Sequence, residues 1–306
     1  MDKIRESILT TSRASKLERR GKIISLTCLG GICLVVVAIF GFIAYRGLMT
    51  FTSDHVSIIK FLTGTEWNPS VSKNGAPLVG ALPMIAGSFL ITILATVLAI
   101  PFAIGTALMM TDITPKTGTR ILQPVLELLV GIPSVVYGFI GLTVVVPAIR
   151  TVFGGSGFGI LSGTFVLFVM VLPTITSMTV DSLSSVPKDY RSASLALGAT
   201  RWQTIYKVVL RSATPGILTA IVFGMARAFG EALAVQMVVG NATLMPYSLV
   251  APASTLTSVL TTGIGNTVMG TVQNDALWSL ALILLLMSLA FNLAIHLIAR
   301  RGAMKR

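Results

Sequence analysis

The sequence predicts an all-α polytopic membrane protein with six transmembrane helices, and three observations carry that prediction. Of its 306 residues 54% are hydrophobic and only 11% charged, too little polar surface for a soluble chain of this size. Six apolar runs reach the length of about 20 helical residues that spans a bilayer. The basic residues alternate between loops. Eighteen Lys and Arg fall before the first run, in 111–120, in 181–214 and in the C-terminal tail, against four in 46–83, 150–156 and 240–275. By the positive-inside rule this places both termini in the cytoplasm. The formal charge of +12 is therefore a topology signal, and no nucleic-acid partner is expected.

Residues 1–22 read as a polar, helical cytoplasmic tail with mixed charge. The first span is 23–45; it is too long for a signal-peptide core and lacks a small-residue cleavage site. Cys28 and Cys33 fall inside it, where small apolar packing is the expected role. Segment 46–83 is an external excursion broken by Gly64, Pro69, Gly75, Pro77 and Gly80. A permease-like core follows over 84–299, with spans 84–110, 121–149, 157–180, 215–239 and 276–299. Residues 240–275 are external, rich in Ser, Thr and Gly, and apolar enough to dip back or to lie along the outer surface. A short tail, 300–306, closes the chain on the cytoplasmic side.

The cytoplasmic loop 181–214 is the most structured polar stretch. Pro187 suits a first helical turn and Gly198 the residue just past a helix end. Between them Tyr190, Ala193, Ser194 and Leu197 recur at i, i+3, i+4, i+7 as one mildly apolar stripe. Thr200 and Gln203 form a capping box that opens a second helix, expected to end before Pro215. Two short helices joined at a glycine make either a docking surface or a plain connector.

The fifth span contains "GMARAFGEALAV", with Arg227 and Glu231 inside an apolar run. On a continuous helix both share a face with Ala220, Gly224, Ala234 and Val238, opposite Leu218, Val222, Met225, Phe229, Leu233 and Gln236. Two charges near mid-membrane cost roughly 5–7 kcal/mol before pairing, so this face must look into the bundle or a wet pathway. The i, i+4 order with the cation first is the weaker one, and even the better order gives only about 0.2–0.5 kcal/mol. Either the pair locks two helices, or Arg227 is a transient partner for an anion while Glu231 limits how tightly it is held. No His/Cys/carboxylate cluster has metal-ligand spacing and no nucleophile motif appears, so no catalytic or metal site is predicted. Glu127 and His296 are expected near the membrane interfaces.

At the cytoplasmic loop the chain resembles the permease subunits of ABC importers. Ser192-Ala193-Ser194, Gly198 and Val208-Val209-Leu210-Arg211 keep the spacing of that family's Glu-Ala-Ala…Gly…Ile-x-Leu-Pro signature, with Ser192, Ser194 and Arg211 as departures from it. "FLTGTEWNP", "GALPMIAGSF", "GIPSVVYGFIGLTVVVP" and "ARAFGEALAVQMVVGN" are similar to the phosphate permeases of the PstC type, and the loop also to PstA. The resemblance implies a MetI-like fold in a bacterial plasma membrane and half of a translocation pathway for inorganic phosphate. It also implies a second, PstA-like permease, two PstB-like ATPase subunits and an extracytoplasmic PstS-like binding protein. ATP would be bound by those partners: this chain lacks a G-x-x-x-x-G-K-[ST] loop and needs no cofactor of its own. Tyr190, Ser192, Ala193, Ser194, Leu197 and Gly198 would then be the ATPase-coupling residues. Two other readings stay open: a secondary transporter with Glu231 as proton site and Arg227 as counter-ion, and a non-transporting scaffold or phosphate-sensing subunit.

Overall fold

The computed structural model describes residues 13–73 and 76–302; of the expected tails 1–22 and 300–306, residues 1–12 and 303–306 lie outside it, as do Asn74 and Gly75. Six helices among the described residues are long and apolar enough to cross a membrane. Helix α1 is Arg13–Thr52, so it begins well before the expected first span. Next come α2 (Ile58–Thr63) and an antiparallel hairpin of β1 (Trp67–Lys73) and β2 (Ala76–Val79). Then follow α3 (Leu82–Ile113), α4 (Pro115–Gly131), α5 (Ser134–Phe153) and α6 (Ile160–Ser184). The chain continues with α7 (Lys188–Ala196), α8 (Arg201–Phe229), α9 (Leu233–Val238), α10 (Leu256–Gly263) and α11 (Val272–Gly302).

The bundle is built on small residues. Ala95, Ala99, Ala103 and Ala107 recur every four residues along α3, and all are fully buried. Such a stripe lets a neighbouring helix approach at backbone distance, which is how helices associate where lipid removes the hydrophobic drive. Across from it on α6, a Cβ at Gly163 would sit 3.2 Å from Ile91. Where α6 meets α8, a Cβ at Gly224 would stand 2.5 Å from Ile175. Two buried hydroxyls on these helices turn back on their own backbone: Thr96 donates to Thr92 O at 2.8 Å and Thr176 to Leu172 O at 2.7 Å.

Helix α1 stands apart from this core. Its apolar residues from Leu17 to Phe42 are exposed, as suits a lipid-facing helix, and only its far end packs, where Ser279 of α11 donates to Gly47 O at 2.7 Å. Cys28 and Cys33 are exposed free thiols on that helix, so the expected packing role is not met within this chain.

Three further expectations need correction. The third span is not continuous over 121–149. Pro133 pushes Ile132 into an extended conformation (φ −70°, ψ 127°), which ends α4 at Gly131 and makes α5 the spanning helix. Glu127 consequently lies on α4, exposed and hydrogen-bonded by Gln123 at 2.8 Å. The helix opened by the Thr200–Gln203 capping box does not stop before Pro215 but runs through it to Phe229. Its early part contains a π-turn at Ile205–Val209. The fifth span also ends at Phe229 rather than at 239. Segment 240–275, expected to be external, folds back against the bundle: Leu256, Thr257, Ser258 and Val259 of α10 are buried, and Ser88 of α3 accepts from Leu256 N at 2.9 Å.

Candidate functional site

The break after Phe229 explains the two charges. Arg227 sits in the last turn of α8, and Gly230 closes that helix with its N–H on Ala226 O at 3.3 Å. Glu231 stands beyond the break, where its Oε1 accepts from Ala234 N at 3.3 Å and so caps the start of α9. A cation at a helix C-terminus and an anion at a helix N-terminus are each favoured by the local dipole, by about 0.3–1 kcal/mol at exposed sites and more when drier. The continuous-helix wheel therefore holds only up to Phe229, and Arg227 and Glu231 do not share one helical face. Nor do they form an ion pair, so a lock made by that pair is absent. The ion pairs among the described residues are Arg46–Asp275 and Arg191–Asp112.

Arg227 donates from Nη1 to Thr174 Oγ1 on α6, and its side chain is otherwise exposed on one side of the chain. Thr174 is 8% exposed and follows Pro173, which interrupts the α6 hydrogen-bond ladder. The Glu231 main chain is held by Thr257 of α10, whose Oγ1 donates to Glu231 O at 2.8 Å. A second break lies alongside. Helix α5 packs on α9 so closely that a Cβ at Gly138 would meet Met237 Sδ at 2.7 Å and Ala234 Cα at 3.0 Å. Tyr137, buried beneath, bridges back across its own break by donating to Leu129 O at 2.8 Å. Two interrupted segments thus meet where one guanidinium is presented without a carboxylate, an arrangement suited to a passing anion.

The coupling candidates form a separate surface. No residue of α7 is buried; Tyr190, Ser192, Ala193 and Leu197 point outward, Leu197 with 89% of its surface exposed. Ser194 turns inward to Thr204 at 2.9 Å. Gly198 has φ +83°, and the amides of Leu197, Gly198 and Ala199 bond back to Ala193, Leu195 and Ser194 carbonyls, closing the helix end. Arg191, on the inner face, anchors the whole element. It reaches Asp112 at the end of α3 at 3.0 Å, Val186 O at 2.9 Å and Leu183 O at 3.1 Å. Sequence reasoning passed over Arg191, Asp112 and Thr174. The Gly131-Ile132-Pro133 and Gly230 interruptions were visible as breaker residues.

The architecture defines a helical membrane permease, and the comparisons name its class. Residues 99–302 match the model for the binding-protein-dependent transport system inner membrane component. The chain belongs to that family and is an ABC importer permease subunit with the MetI-like fold. It is 49% identical over 97% of its length to the probable ABC transporter permease protein YqgH of Bacillus subtilis, covering 96% of that protein. It is 31% identical to the phosphate transport system permease protein PstC of Mesorhizobium japonicum, with 98% and 94% of the two chains covered. Among solved structures, a bacterial ABC transporter that imports the acidic polysaccharide alginate superposes with a TM-score of 0.61 at 15% identity, covering 96% of this chain and all of that one. The inward-facing MetNI methionine transporter gives 0.55 at 19%, covering 71% and 94%. These two show the fold alone. Permeases of this class are multi-pass plasma-membrane proteins that work with separate ATPase and substrate-binding partners and are not enzymes themselves.

Proposed function

We propose that this chain is the PstC-type permease of an inorganic-phosphate importer and that Arg227 is an anion-binding step in its pathway. The observation that carries the reading is a membrane-embedded guanidinium bonded to a threonine and to no carboxylate. The likeness to PstC relatives supports phosphate as the substrate. Glu231, held at the start of α9, keeps the site from trapping its ion by leaving a carboxylate in the field. Both termini lie in the cytoplasm. A PstA-like permease completes the pathway beside Arg227, a PstS-like protein delivers phosphate, and two PstB-like subunits hydrolyse ATP beneath. The exposed face of α7, with Tyr190, Ser192, Ala193 and Leu197, seats in the ATPase, while Ser194 and Gly198 fix its shape.

Phosphate uptake by membrane vesicles carrying the whole complex tests this. Arg227→Gln and Glu231→Gln should each lower uptake while the complex still assembles; normal uptake in both would remove these residues from the pathway. Uptake driven by a proton gradient without the ATPase would overturn the importer reading itself. A bulky substitution at Ala193 that left ATPase association intact would remove α7 from the contact.

A further inference from the structure

A second basic feature lies on the other side of α8. A groove of about 680 Å³ opens between α3 and the first half of α8. Tyr206, Lys207 and Arg211 line it at the α7 end, and Ile104, Ile217 and Leu218 line it towards mid-membrane. Lys207, Arg211 and Leu218 follow one another at i, i+4 and i+11 on the same helical stripe. At about 1.5 Å per residue the stripe runs roughly 16 Å from charge to grease, about half of a 30 Å hydrocarbon core. Arg227 is sixteen residues beyond Arg211. At about 100° per residue that is roughly 160° further round, so the groove is not part of the Arg227 site.

Neither cation in the groove has a carboxylate partner: the ion pairs among the described residues are Arg46–Asp275 and Arg191–Asp112. Trp202 and Tyr206, 63% and 65% exposed, stand one turn apart beside them, as aromatic side chains do at headgroup level. An inorganic phosphate would need only the charged end and would fill little of a space with room for about twenty waters at ~30 Å³ each. A ligand with an anionic head and an apolar tail matches both ends.

We propose that this groove holds one anionic phospholipid of the leaflet on the α7 side. Its phosphodiester sits between Lys207 and Arg211, and an acyl chain lies along Ile104, Ile217 and Leu218. The inference rests on the membrane immersion of α3 and α8 and not on which substrate crosses, so it can fail or stand separately from the phosphate reading.

Native mass spectrometry of the intact complex, titrated with phosphatidylglycerol and with phosphatidylcholine, tests it. One tightly retained phosphatidylglycerol is expected. Its apparent affinity should fall about 5-fold in Lys207→Gln or Arg211→Gln and about 30-fold in the double variant, while Lys207→Arg keeps it. The single variants serve where the double one does not assemble. Equal retention of phosphatidylcholine, unchanged affinity in the variants, or displacement by millimolar inorganic phosphate would overturn the proposal. So would a cross-link from Lys207→Cys to another subunit, which would show protein filling the groove.

Discussion

The anchor of α7 offers the sharpest test of how this element, the proposed coupling surface, is tied to the spans. Arg191 donates to Asp112 and to two carbonyls at the end of α6, with side-chain exposures of 23% for the arginine and 8% for the aspartate. Removing one partner of a buried pair costs about 3–5 kcal/mol, chiefly because the other charge is stranded. The partial exposure of Arg191 puts Arg191→Met at the low end, about 3 kcal/mol. Asp112→Asn is milder. It keeps the shape that accepts from Thr111 Oγ1 at 2.7 Å, and Arg191 retains its carbonyls, so about 1–1.5 kcal/mol is expected. In the double variant no charge is stranded, and the two effects should fall short of additivity by about 1–2 kcal/mol. Thermal midpoints of the solubilised complex read this out. At roughly 2–4 °C per kcal/mol, Arg191→Met should lose about 6–12 °C. The ratio of substrate moved to ATP hydrolysed should drop with it. Strictly additive midpoints, or an Arg191→Met complex as stable and as tightly coupled as the wild type, would refute the anchoring argument.

The remaining predictions concern three other positions. Gly198 has φ +83°, and a Cβ there would meet nothing within 4 Å, so the cost of a side chain is purely backbone strain, about 1–2 kcal/mol. Amide exchange at Ala199 should quicken in the order Gly198, Gly198→Asn, Gly198→Ala; equal rates would show that the turn is not strained. At the α5–α9 contact, Gly138→Ala should lower uptake by forcing apart helices that meet at Ala234 backbone and Met237 Sδ, at an overpacking cost of about 1–3 kcal/mol. Unaltered uptake would mean that α5 and α9 need not stay together. Asp54, just beyond α1, has its carboxyl pushed above the ordinary range, first by burial and then by the Asp275 carboxylate, with His55 opposing. A raised acid pKa stabilises the fold at low pH and is lost as pH rises through it. Asp54→Asn should therefore raise the midpoint at pH ~7 by more than it does near pH ~4, the ordinary carboxylate value. A pH-independent difference would refute this.

Hydropathy and loop charge made the number of spans and the capping box at Thr200–Gln203 legible, because both are local properties of composition and spacing. The ends of the third and fifth spans were not legible from hydropathy. Residues 121–149 and 215–239 are each apolar enough on average to read as one span, and the interruptions are conformational, marked only by breaker residues. One is a proline acting on its neighbour's ψ angle at Ile132; the other is a glycine cap followed by a glutamate that serves the next helix. The error moved Glu231 from the face of α8 to the start of α9 and changed its role. Thr174 and the Arg191–Asp112 pair were out of reach for a different reason: each is a contact between residues 53 and 79 positions apart. A single sequence carries no pairing information at that range. Arg227, by contrast, could be singled out from its neighbours alone, since a charge in such a run demands a reason wherever the chain goes.

Two opposite charges on one rigid helix keep a constant separation, and the field they make is a constant of the molecule. Across the Gly230 break they do not. Arg227 travels with α8, and Glu231 travels with α9 and with Thr257 of α10, so a small change of angle at one glycine alters how much of the guanidinium's charge the carboxylate cancels. On the proposed anion-binding role of Arg227, the site would be electropositive in one state of the transport cycle and nearly neutral in the next without gaining or losing a proton. Such a switch would be read in the dihedral angles of a single residue.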